Sequence, residues 1–387
     1  MPVISCGGMR YQHRWQDLPI EEVPAANQAN LEATVRRAVE LGICHIETAR
    51  DYGSSERQLG LVLPKFSRAD LIVQTKLPPH AEPQVFLDQF NDSLARLQLE
   101  HVDLLAIHGI NTFRQVWWAM RPGGCLEAAR RQVAEGKVRH VGFSTHGPLD
   151  VILAAIEHQG QEGNGFDYVN LHWYYINQQN WPAIEAARRA DLGVFIISPS
   201  EKGGMLFRPP ARLVELCAPL HPLVFNVLFC LARPEVHTLS VGASKPEDFD
   251  LQMTALPLLE QADQLLPPIL ERLDRAMIDA VGPEVARSYA EGLPQWEETP
   301  GHVNLSVILW LRNLLRAYDM VEYGKMRYNL LGQGEDWFPG LGAAHLDGLD
   351  FAKALKNSPF SEQIPKWLRE THALLYEKPV QRLSQSE

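Results

Sequence analysis

The sequence predicts an α/β protein, a (β/α)8 TIM barrel over residues 1–255 with an additional C-terminal all-helical module over 256–387. Three observations predict it. Short β-branched runs alternate with amphipathic helical stretches through about two thirds of the chain, the signature of repeated βα units. The runs number eight, which suits closure into a barrel. After about Leu251 the strand-like runs stop, and a chain of 387 residues has sequence to spare beyond the ~250 that one barrel takes.

In chain order the strand candidates are Val3 to Cys6, Ile43 to Glu47, Leu71 to Lys76, Val102 to His108, Val138 to Ser144, Tyr168 to Leu171, Val194 to Ser198 and Thr238 to Val241. Between the first two, Leu31, Val35, Ala38 and Val39 form an apolar helical stripe that Gly42 is placed to end. Phe86, Phe90, Leu94 and Leu97 form another, and Pro83 suits its first turn, where the missing N–H has no helical partner. Connections of this length are crossovers between parallel strands. In the tail, Leu256 to Ala280, Leu305 to Tyr318 and Pro365 to Leu375 read as helices, with a break at Gly282 and Pro283 and a loop around Trp337 to Pro339.

Composition removes several classes of function. A formal charge of −11 and no clustered Lys or Arg argue against a nucleic-acid surface. No run of 18 or more apolar residues occurs and the start lacks a basic region followed by an apolar stretch, so no membrane span or secretion is expected. Cys6, Cys44, Cys125, Cys217 and Cys230 are odd in number, scattered and without a CxxC pair. They read as buried thiols of a cytoplasmic protein.

Four polar side chains stand at the downstream ends of consecutive strand candidates, where a barrel gathers residues distant in sequence. They are Glu47, Tyr52 just beyond it, Lys76 and His108. A phenol holds its proton at neutral pH but gives it up reluctantly, and an adjacent ammonium that favours the phenolate makes it a better acid. Lys76 is the candidate ammonium, Glu47 its counter-charge, and His108 a hydrogen-bond donor to a substrate oxygen. Each taken singly also fits an ordinary strand-end or surface residue; the constellation is what points to chemistry.

The runs GGMR (Gly7 to Arg10), GICHIETARDYGSSERQLG, LIVQTKLP, VDLLAIHG, GKVRHVGFSTH and ISPSEKGGML occur in an order that resembles the aldo-keto reductase family over roughly Pro2 to Ala255. The resemblance is nearest to a bacterial branch with a C-terminal ferredoxin-like extension. It implies reduction of a small-molecule carbonyl by a nicotinamide cofactor, with Tyr52 as general acid assisted by Lys76, Glu47 and His108. It further implies cofactor contacts from Gly8, from Ser144 and Asn170 at the nicotinamide, from Ser198, Lys202, Gly203 and Gly204 after the seventh strand, and from Gly242, Ser244, Lys245 and Gln252 after the eighth. Many relatives carry arginine where Ser244 stands. Lys245 and Ser244 are then left to meet a 2′-phosphate, with NADPH expected and NADH open.

The chain departs from the family pattern in three ways. Glu47 stands where the family has aspartate, one methylene shorter. The tail, with Glu298 and Thr299 where a cluster-binding run would begin, contains no cysteine, so no iron–sulfur cluster is expected. Relatives begin with a hairpin that closes the barrel floor, whereas here the first strand candidate starts at Val3, and an upstream start is the expectation.

The segment INTFRQVWWAM reads as a loop whose Phe113, Trp117 and Trp118 either wall a substrate pocket or dock the loop onto the barrel or tail, docking being favoured; Tyr174 and Tyr175 carry the same ambiguity. Two other functions compete. One is a cofactor-sensing scaffold that engages a protein partner through the tail aromatics Trp310, Tyr318, Tyr323, Tyr328, Trp337 and Phe338. The other is a metal-dependent hydrolase using His108, His140, His146 and His172, disfavoured because these lack HxH or HExxH spacing.

Overall fold

A computed structural model of the chain describes all residues except 159–164, 334–338 and 379–387, and describes residues 202 and 203 by their backbone alone. Eight parallel strands close into a barrel in sequence order. They are β1 (Ile4–Gly7), β2 (His45–Glu47), β3 (Ile72–Leu77), β4 (Val102–Ile107), β5 (Val138–Ser144), β6 (Tyr168–Leu171), β7 (Gly193–Ile197) and β8 (Thr238–Gly242). β1 closes the ring by pairing with both β2 and β8, with Gly7 opposite Glu47 on one side and Gly242 on the other. Apolar runs suit such strands because a parallel barrel hides both their faces.

The differences from the predicted bounds are small and physical. The fourth strand stops at Ile107, although the His108 N–H still donates to the Leu77 carbonyl at 2.6 Å and extends the ladder by one bond. The seventh stops at Ile197 because Ser198 takes φ +59°, which no strand accommodates. Inside the barrel, Leu104, Ala106, Tyr168 and Phe195 pack together, and the Tyr168 and Phe195 rings stack at 4.8 Å.

Helix Ala25–Glu40 carries the predicted stripe with Leu31, Val35 and Ala38 fully buried, and helix Pro83–Leu97 begins at its proline. One expectation is overturned. The INTFRQVWWAM segment is not all loop: Phe113–Met120 is a helix, started by a capping box in which Gln115 N–H donates to Thr112 Oγ1 and Thr112 N–H donates to Gln115 Oε1. Its Phe113 and Trp117, one turn apart, are 56% and 62% exposed among the described residues, whereas Trp118 is half-buried and Tyr174 and Tyr175 are buried.

The chain forms two compact units. The first comprises Met1–Phe207 and Asn226–Ala262; the second comprises Arg208–Phe225 and the described residues from Asp263 on. In the second unit helix Ala262–Val281 carries Pro267 and Pro268 internally, and Gly282 at φ +89° turns the chain into helix Pro283–Ser288. Helices Leu305–Tyr318, Val321–Tyr328 and Ile364–Leu375 follow. Ile308, Leu311, Leu368 and Leu375 are buried among them, and the Arg312 guanidinium lies 4.3 Å from the centre of the Trp367 ring. Of the predicted tail loop around Trp337, residues 334–338 lie outside the described residues. Among the described residues no single helix is long and apolar enough to cross a membrane; the bent pair Ala211–Cys217 and Pro222–Leu231 passes by length and composition only.

Candidate active site

Glu47 is the last residue of β2 and Lys76 the last but one of β3; the parallel ladder pairs Glu47 with Gln74, and Lys76, two residues further on, points its side chain to the same mouth of the barrel as Glu47. The Lys76 ammonium donates to Glu47 Oε1 at 2.5 Å and to the Thr48 carbonyl at 3.1 Å. The two side chains are 1% and 3% exposed. A pair so deeply buried persists because each charge satisfies the other. The extra methylene of glutamate therefore leaves a direct, short ion pair.

Tyr52 stands on the turn after β2, half-buried, with the Lys76 ammonium 5.1 Å from its ring centre. The rings of His108 and Trp15 meet it edge-on, at 5.7 and 6.0 Å between centroids. Gly53 fixes the turn: it holds φ +52°, and a Cβ there would fall 1.7 Å from the Arg14 carbonyl oxygen. His108 Nδ1 lies 3.7 Å from Asp51 Oδ2, so the residue before the tyrosine faces the histidine.

The electrostatics differ from the expectation in one respect. Burial raises the Tyr52 phenol above its ordinary value of 10.0; Lys76 pulls it down, but Glu47 pushes with the burial and the net direction is upward. The ammonium is thus mostly spent on its carboxylate. Burial acts to lower Lys76, and the charges of Glu47 and Tyr52 more than offset it, so the ammonium is held above its usual value. Burial likewise acts to raise Glu47, which Lys76 overrides to hold the carboxyl below its usual value. Both members of the pair stay charged across the neutral range.

Three of the cofactor candidates border this cluster. The Gly8 N–H donates to the Glu47 carbonyl at 2.7 Å, leaving room for no side chain: a Cβ would lie 2.8 Å from that oxygen. Ser144 Oγ accepts from the Gly109 N–H at 3.1 Å, tying the end of β5 to the residue after His108. Asn170, its neighbour across the β5–β6 ladder, is fully buried and accepts from Gln74 Nε2 at 3.2 Å. Gln74 Oε1 in turn meets His45 Nε2 at 2.9 Å, and burial drives that imidazole down to about 4. Asn170 Nδ2 is buried with no hydrogen-bond partner among the described residues.

The remaining candidates gather at the ends of β7 and β8. Ser198 is half-buried at φ +59°, and Gln252, fully buried, donates from Nε2 to Ser200 Oγ at 3.2 Å. Lys245 is exposed, and the side chain of Lys202 and the surroundings of Gly203 lie outside the described residues.

Between Gly204 and Gly242 lies a residue that sequence reasoning passed over, Arg10. A Cβ on Gly204, itself at φ +76°, would fall 2.5 Å from the Arg10 Cζ, and one on Gly242 would fall 3.0 Å from its Cδ. Arg10 donates to the Gly242 carbonyl at 2.8 Å, to Ser244 Oγ at 3.3 Å and to Asp248 Oδ2 at 3.3 Å, with its guanidinium 5.1 Å from the Phe207 ring centre. Burial lowers it from its usual value while Asp248 opposes. In the sequence Arg10 is only the end of GGMR; its partners stand more than two hundred residues away, and no local pattern announces them.

His146 Nδ1 and His172 Nε2 lie 2.6 Å apart, the rings 4.7 Å between centroids. His140 faces Asp167 at 3.7 Å. No group of three or more His, Cys, Asp or Glu able to hold a metal is found among the described residues. The five cysteines are free thiols, four of them buried.

Comparison with known proteins agrees with this arrangement. The profile of the Aldo/keto reductase family matches residues 3–208. An aldose reductase of Encephalitozoon cuniculi is 35% identical over 124 residues, 30% of this chain and 38% of that protein. An L-galactose dehydrogenase of Arabidopsis thaliana is 35% identical over 136 residues, 32% of this chain and 41% of that protein. The chain therefore aligns with well under half the length of these curated relatives. Among solved structures, an aldo-keto reductase of Bacillus halodurans in its holo form superposes with a TM-score of 0.57 at 19% identity, over 70% of this chain and 91% of that one. An aldo-keto reductase of Klebsiella pneumoniae in complex with NADPH gives 0.54 at 19%, over 69% and 92%. Those structures carry the fold, and the profile, spanning more than half of the residues, carries the kinship: the chain belongs to the Aldo/keto reductase family.

Proposed function

We propose that the barrel mouth reduces an aldehyde or ketone to an alcohol, with Tyr52 as general acid and a nicotinamide dinucleotide as hydride donor. The observation that carries this reading is the buried Glu47–Lys76 pair with the ammonium against the Tyr52 ring. When bound, the reduced nicotinamide supplies hydride to the carbonyl carbon. The protein has to supply a proton to the oxygen and a place for both partners.

Tyr52 holds that proton, since its phenol lies above the ordinary tyrosine value. As negative charge develops on the carbonyl oxygen the phenol releases its proton, and the phenolate left behind is stabilised by Lys76. Glu47 keeps the lysine charged and fixed rather than taking part itself. His108, edge-on to the tyrosine, orients the carbonyl oxygen toward the phenol. The residues present fit the dinucleotide: Asn170 Nδ2 is a buried donor lacking a partner among the described residues, and Gln252 Oε1 a buried acceptor in the same state. Asn170 with Ser144 suits the carboxamide, and the β7 and β8 ends suit the phosphates, as loops after the last two strands of such barrels commonly do.

Exchanging Tyr52 for Phe tests the assignment. Turnover of aldehydes is expected to fall by ~10²–10⁴-fold, the usual worth of a general acid, with dinucleotide affinity nearly unchanged. Undiminished turnover would remove Tyr52 from the role.

A further inference from the structure

Resting on the cofactor reading above, we infer that Asp248 makes the β8 end a site for an unphosphorylated adenosine ribose, so that the chain prefers NADH to NADPH. This reverses the expectation from kinship.

The argument is one of occupied donors. A phosphate monoester needs N–H, O–H and cationic groups converging on it. At the end of β8 those groups are the Ser244 N–H, the Ser244 hydroxyl and the Arg10 guanidinium. All three are already engaged by Asp248: its Oδ2 accepts from Ser244 N at 2.8 Å, from Ser244 Oγ at 2.8 Å and from Arg10 Nη1 at 3.3 Å. The slot thus holds an internal anion.

The surrounding charge adds no surplus of cations. Arg37 is engaged by Asp250 at 2.5 Å, and Glu247 and Lys245 are both exposed, one charge of each sign. A dianionic 2′-phosphate entering here meets a carboxylate and must displace it from three hydrogen bonds. A ribose hydroxyl meets an acceptor, because all the side-chain hydrogen bonds of Asp248 among the described residues fall on Oδ2 and Oδ1 is left for it. Acidic residues play that part toward the 2′-hydroxyl in NAD-binding folds of other architecture, and arginine replaces them where the phosphate is accepted.

Titrating the full chain with NADH and with NADPH, read by quenching of tryptophan fluorescence, tests the inference without turnover. NADH is expected to bind at least 10-fold more tightly. The Asp248→Asn variant, which keeps the side chain's shape and frees Arg10, is expected to shift the affinity ratio at least 10-fold toward NADPH. Equal or tighter NADPH binding by the native chain overturns the inference while leaving the cofactor reading intact. A native preference for NADH that survives in Asp248→Asn overturns the role of Asp248. Binding of neither dinucleotide overturns the cofactor reading, and the inference with it.

Discussion

Lys76 and Glu47 show how a single pair serves both stability and chemistry. Changing Lys76 to Met alone leaves a carboxylate uncompensated in the barrel, and a loss of ~3–5 kcal/mol in stability is expected by urea unfolding. Changing both, Lys76→Met with Glu47→Leu, is expected to restore most of that stability but none of the turnover; recovery of turnover in the double variant would separate the ammonium from the reaction. Because the phenol of Tyr52 lies above 10.0, the reductive kcat/KM is expected to stay flat through neutral and mildly alkaline pH and to decline only beyond that value. A tyrosine-like decline centred at pH 8 would show that Lys76 dominates after all. The identities of these residues were legible because each ends a strand-like run. The direction of the tyrosine's titration was not, since it depends on how far Glu47 absorbs the lysine charge, a distance that no spacing encodes. Arg10 and Asp248 were illegible for a related reason: each is meaningful only beside the other.

Strands and helices were legible wherever period and boundary chemistry agreed, as at Pro83 and at the eight apolar runs. The helix Phe113–Met120 was hidden because a polar start and a pair of tryptophans resemble a loop, and its start signal is the Thr112–Gln115 reciprocal pair rather than an apolar stripe. Thr112→Ala is expected to cost about 1 kcal/mol, measured by chemical denaturation. A tighter constraint lies where helix Ser55–Gly60 meets helix Pro83–Leu97: a Cβ on Gly60 would fall 2.0 Å from the Arg96 carbonyl oxygen. Gly60→Ala must push the helices apart, and a loss of ~1–3 kcal/mol is expected, together with slower turnover because Ser55 donates to the Gly8 carbonyl and Glu56 accepts from Thr75, the residue before Lys76.

At the scale of the molecule, stability should respond to acid through a residue outside the reaction. His45 is fully buried and stays neutral down to about pH 4, against an ordinary 6.5. Between those values the unfolded chain binds a proton that the folded chain refuses, so stability is complete above pH 6.5 and falls as pH drops toward 4, by ~3 kcal/mol from this group. Comparing native chain with His45→Gln at pH 7 and pH 4.5 checks this; equal acid sensitivity of the two would exclude it. The closed barrel was readable from the count and spacing of its strands, but the partition of the chain was not. The peptide between β7 and β8 looks like any other crossover, yet Arg208–Phe225 belongs to the same compact unit as the residues from Asp263 on, and Arg272 donates to the Leu216 carbonyl at 3.0 Å within it. Cutting the gene after the last strand would consequently not liberate an intact cylinder. It would strand an eighteen-residue splice, counted from Arg208 to Phe225, without the helices it folds against, so the second unit cannot be trimmed away at one point.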